Sequence, residues 1–67
     1  MKMTILGEYE KESTARSIIK ILKKHYINCQ LIMARPKYLP YAKWIIIVDQ
    51  RKESQAQELL YQLPEVV

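Results

Sequence analysis

Sixty-seven residues make one small domain, near the lower limit at which an apolar core outweighs chain entropy without disulfides or metals. A hydrophobic fraction of 49% and a charged fraction of 27% exclude a disordered chain, and no apolar run approaches the roughly 20 residues that span a bilayer, nor does a basic start precede an apolar signal core. The single cysteine, Cys29, excludes an intramolecular disulfide and a multi-cysteine zinc site and fits a reducing cytosolic compartment, while a net charge of +4 and a pI of about 9.3 point any electrostatic partner toward anions such as lipid, nucleic acid or acidic protein.

Met1, Met3 and Ile5 alternate with Lys2 and Thr4, the period of a half-buried strand, and Gly7 reads as the turn after it. From about Lys11 to Tyr26 the apolar residues Ala15, Ile18, Ile19, Leu22 and Tyr26 recur at helical spacing, which predicts an amphipathic helix. Arg16, Lys20, Lys23 and Lys24 form its opposite face. Asn28 suits the helix end, and Lys23, Lys24 and His25 complement the negative C-terminal dipole.

Cys29 to Ala34 predicts a second strand, with Cys29, Leu31 and Met33 on one side and Gln30, Ile32 and Ala34 on the other. Pro36 and Pro40 then break any ladder, so residues 35–43 read as a long loop. Trp44 to Val48 is continuously apolar and rich in β-branched residues, as a central strand should be. Asp49 closes that strand and can cap the second helix. Ser54 with Gln57 offers a second, capping-box-like start. Ala56, Leu59, Leu60 and Leu63 fall at helical spacing, Pro64 stops the helix, and Val66 and Val67 form a short tail.

Element order β-α-β-β-α with a right-handed crossover leaves room for the third strand between the first two, antiparallel to both. The expected fold is therefore α+β, a three-stranded antiparallel sheet in the order 1-3-2 with both helices on one face, ferredoxin-like but lacking the last strand. Because the third strand is apolar at both parities, Ile45 and Ile47, with Ile32 beside them, should leave an apolar patch on the uncovered face.

Catalytic chemistry finds no inventory here. His25 is the lone histidine, Gly7 the lone glycine, and the glutamates fall at helix starts or polar faces, so a catalytic carboxylate pair, a phosphate loop and a metal site all lack their residues. No cofactor is expected. Two constellations remain. Arg16, Lys20, Lys23 and Lys24 are either a solvated helix exterior or a contact for anionic lipid, worth about 1 kcal/mol per cation and useful only when a tether raises the local concentration. Arg35, Lys37, Tyr38, Tyr41, Lys43 and Trp44 interleave cations with aromatics. Either the aromatics fold back on the core, or the segment stacks bases or sits at a lipid interface.

The element order, the start Met1-Lys2-Met3-Thr4-Ile5, the helix pattern Ala15-Arg16-Ser17-Ile18-Ile19, and the run Ile47-Val48-Asp49 through Glu53-Ser54-Gln55-Ala56 resemble the N-terminal cytoplasmic domain of bacterial rhomboid intramembrane serine proteases. The similarity covers nearly the whole chain, and its most specific piece is Glu53-Ser54-Gln55-Ala56. The long Pro-Tyr loop and the extra residues Gln50 to Lys52 depart from the pattern. The resemblance implies a fragment of a larger membrane protein, with the catalytic serine and histidine beyond Val67 and none in this chain. It also implies an accessory role at the cytoplasmic side of the bacterial inner membrane. There the partners would be the protein's own transmembrane domain, an anionic membrane surface or a second copy. At the level of pattern the chain also resembles small freestanding β-α-β-β-α domains described as signal-transducing, which would be cytoplasmic. A minimal RNA binder ranks last, because the sequence lacks the aromatic strand motif of an RNA-recognition domain.

Overall fold

A computed structural model describes residues 2–62. The chain forms β1 (Met3–Tyr9), α1 (Glu12–Lys24), β2 (Cys29–Ala34), β3 (Lys43–Asp49), a short 3-10 turn (Gln50–Lys52) and α2 (Glu53–Gln62). The strands make one sheet in the order β1-β3-β2, with both pairings antiparallel. This is the α+β topology expected from the sequence, with β3 in the middle. Leu63, the stop at Pro64, the Val66–Val67 tail and Met1 lie outside the described residues.

One core holds the layers together. Ala15, Ile18 and Leu22 of α1 and Ala56 of α2 pack with Ile46 and Val48 of β3, joined by Ile27 and Cys29. Leu22, Ile27, Ile46 and Val48 are its largest fully buried side chains, each contributing roughly 1.5–3 kcal/mol by leaving water. Each helix also buries an alanine completely, Ala15 in α1 and Ala56 in α2.

Four local expectations need correcting. First, Gly7 is not a turn, since β1 continues to Tyr9. Ile5 pairs with Ile47 and Gly7 with Ile46, so Leu6 is the extra residue of a β-bulge. The bulge lets Leu6 and Tyr9, three apart, both pack on the core, which a regular strand forbids. A Cβ at Gly7 would lie 2.9 Å from the Tyr9 hydroxyl oxygen, so a larger residue there would push the end of the Tyr9 ring aside. Second, Ile5 faces away from the helices and is 57% exposed, because Thr4, paired with Val48, takes the covered side.

Third, Tyr26 does not belong to the apolar stripe. It stands at φ 62° and is 94% exposed. Its N–H bonds the Lys23 carbonyl and the Ile27 N–H bonds the Leu22 carbonyl, the two bonds of a Schellman ending. That reversal swings Ile27 into the core, and Asn28 lies beyond it, accepting the Asp49 N–H. Fourth, Ser54 starts nothing. Asp49 accepts the Arg51 N–H at 3.0 Å and sets the chain turning, so α2 is already under way at Glu53.

Candidate docking surfaces

Residues paired across an antiparallel ladder share a face. On the side away from the helices the rows are Ile5, Ile47 and Gln30, then Glu8, Ile45 and Ile32. Ile5 and Ile32 are 57% and 42% exposed, and Ile45 and Ile47 are half-buried. Both helices pack on the opposite face, against Ile46 and Val48. Among the described residues nothing covers this aliphatic strip, which Glu8 and Gln30 border. The bulge adds Ile5 to the patch expected from Ile32, Ile45 and Ile47.

The cations of α1 are all exposed, but they are not equivalent. Arg16 pairs with Glu12 at 2.7 Å, one turn away, an exposed contact worth a few tenths of a kcal/mol. The signal was legible in the spacing of Glu12 and Arg16. Among the described residues no ion pair engages Lys20, Lys23 or Lys24. Between α1 and β2 an open groove of about 450 Å³ is lined by Arg16, Ile19, Lys20 and Lys23 of the helix and by Gln30 and Leu31 of the edge strand. Periodicity alone could not reveal this groove, because it depends on β2 being an edge.

Cys29, which is buried, also lines this groove. Its Sγ lies 3.9 Å from the Ile19 carbonyl, to which it donates. Burial pushes the thiol above its ordinary pKa, and nearby Lys23 opposes the shift. The thiol form therefore prevails at neutral pH, and a thiolate nucleophile is not prepared here.

The loop constellation does not assemble. Arg35, Lys37 and Tyr38 are exposed, Tyr38 to 84%. Tyr41 and Lys43 share a pocket of about 180 Å³ with Glu8, Tyr9 and Glu10, so acids offset the cation. Lys43 is the first residue of β3 rather than the last of the loop. Trp44 is half-buried and packs against the core. This loop and the pair Lys23 and Lys24 lie at opposite ends of the 13-residue α1, roughly 20 Å apart. They form no single patch.

Asp49 is the one buried charged side chain among the described residues. Its carboxylate accepts the Arg51 guanidinium at 3.2 Å as well as the Arg51 N–H, and these bonds hold the carboxyl below its ordinary range. Its role is to turn the chain. No cluster of three or more His, Cys, Asp or Glu able to hold a metal occurs among the described residues, and no helix among them is long and apolar enough to cross a membrane. Compared with protein-family models, curated proteins and solved structures, the chain matches none.

Proposed function

We propose that this chain is a non-catalytic docking domain, the cytoplasmic accessory domain of a rhomboid-type intramembrane serine protease. The observation that carries the docking role is the uncovered aliphatic strip of Ile5, Ile32, Ile45 and Ile47. A chain this small has little apolar surface to spare, so leaving four isoleucines beside water on a sheet face makes sense when another surface closes over them. The rhomboid assignment is supported by the resemblance through Glu53-Ser54-Gln55-Ala56.

The partner is the protein's own membrane domain. Anionic head groups assist through Lys20, Lys23 and Lys24, while Arg16 is engaged by Glu12. Three free cations contribute about 3 kcal/mol, a dissociation constant in the millimolar range, so the lipid contact matters only for a tethered domain. The strip is aliphatic and offers no aromatic platform for bases, which disfavours RNA.

The test is to replace Ile5 and Ile32 together with Glu in the full gene product. Association of the domain with the membrane-embedded part, read by cross-linking, should fall at least tenfold while the isolated domain stays folded. Unchanged cross-linking would contradict the docking role of this face. A gene product with no apolar membrane segments after Val67 would remove the protease assignment and leave a freestanding interaction domain using the same strip.

A further inference from the structure

The two edges of the sheet are built differently. β1 is bulged at Leu6 and carries Glu8 beside Gly7, features that blunt an edge against further pairing. β2 reads Cys-Gln-Leu-Ile-Met-Ala, with no charge, no proline and an unbroken register to β3. An unprotected edge on a small soluble chain is a template for another strand.

The hydrogen-bond phase shows which backbone groups are on offer. The Asp49 N–H bonds the Asn28 carbonyl at 3.1 Å, and the register pairs Gln30 with Ile47, Ile32 with Ile45 and Ala34 with Lys43. Alternation along an antiparallel ladder then turns the N–H and C=O of Gln30, Ile32 and Ala34 toward β3, and those of Cys29, Leu31 and Met33 outward. Beside these outward groups lies the groove that Lys20 and Lys23 help to line.

We propose that the free edge of β2 captures an extended acidic peptide as a fourth strand, whose carboxylates pair with Lys20 and Lys23. Backbone bonds to Cys29, Leu31 and Met33 supply the attachment, and the period of two sorts the side chains. Helix-side residues of the peptide face Lys20 and Lys23, so acidic groups belong there. The alternate residues continue the aliphatic face beside Ile32, so apolar groups belong there. A second copy of this chain is disfavoured as occupant, because its own β2 would bring Lys20 and Lys23 against the same cations. The assignment uses the sheet edge and does not depend on the protease reading.

The test uses a fluorescein-labelled ten-residue peptide of alternating Glu and Val, titrated by polarisation. Saturable binding is expected, at least tenfold weaker for the same composition with all Glu in one block and for the double variant Lys20→Glu, Lys23→Glu. Met33→Pro removes an outward N–H without touching the ladder to β3 and should also weaken binding at least tenfold. If that variant fails to fold, hydrogen exchange on the unaltered protein decides: the peptide should slow the amides of Cys29, Leu31 and Met33 and leave those of β1 unchanged. Charge dependence without either strand signature would overturn the proposal. So would equal competition by phosphatidylglycerol vesicles, a dimer in sedimentation that excludes the peptide, or no saturable binding.

Discussion

Neighbouring isoleucines of β3 live in different surroundings. Ile46, with Val48, is sealed beneath the two helices, whereas Ile45 and Ile47 point to the uncovered side and keep part of their surface in water. The residues are chemically the same and one peptide bond apart. Burial, and not residue type, decides what each contributes, and the contrast separates the part of the sequence that folds the chain from the part held ready for a partner.

The widest gap should appear on truncation. Ile46→Ala leaves a cavity in a closed core and should cost about 3 kcal/mol, within the range for buried aliphatic truncations, enough to unfold much of a domain this small. Urea midpoints measure it. If Ile45→Ala cost as much, the two faces would be equivalent and the contrast would fail.

A second effect of opposite sign sharpens the account of the covered face. Tyr26 closes α1 in a left-handed conformation that costs a residue with a Cβ roughly 1 kcal/mol. Its side chain is exposed and contributes no core contact, so Tyr26→Gly should raise stability by about 0.5–1 kcal/mol. A fall in melting temperature would show that the ring does something the fold does not reveal.

Asp49 has the same parity as Ile45 and Ile47 but is buried by the turn it caps. Its carboxyl is held low by Arg51, so the unfolded chain takes up the proton first. The stabilisation is present above the ordinary carboxylate pKa of about 3.9 and is lost as pH falls through the lower folded value. The stability gap between the native chain and Asp49→Asn should therefore be largest near neutral pH and shrink as pH falls below the ordinary carboxylate range. A gap that does not change with pH would mean that the carboxylate charge has no part in the turn.

The smallest effect belongs to the open side. Ile5→Thr and Ile32→Thr should each change stability by less than about 0.5 kcal/mol, since both side chains are largely in water already. A loss of 2 kcal/mol or more, read from urea midpoints, would place them in a core.

Much of this architecture was legible in the sequence. Period-two and period-3.6 patterns marked the first two strands and both helices, and the double apolar parity of residues 44–48 marked both the central strand and the open patch. Three features were not legible, for physical reasons. The bulge at Leu6 exists to bring Leu6 and Tyr9 to one face, a requirement set by the helices and invisible in local alternation. The Schellman ending places Tyr26 where glycine or asparagine is usual, because burying Ile27 decides where the chain must reverse. The cationic groove arises from α1 lying beside an edge strand, which no single element encodes. Trp44 fits its expected place in β3 and the alternative in which the loop aromatics fold back on the core.

The division of the sheet into a sealed and a waiting side can be measured directly on isoleucine methyls, labelled with carbon-13 and exposed to a soluble paramagnetic agent. The methyls of Ile5 and Ile32 should be strongly relaxed, those of Ile45 and Ile47 partly, and those of Ile18, Ile27 and Ile46 scarcely at all. Equal protection of Ile5, Ile32 and Ile46 would mean that the chain closes over its own second face, and no surface would be left for a partner.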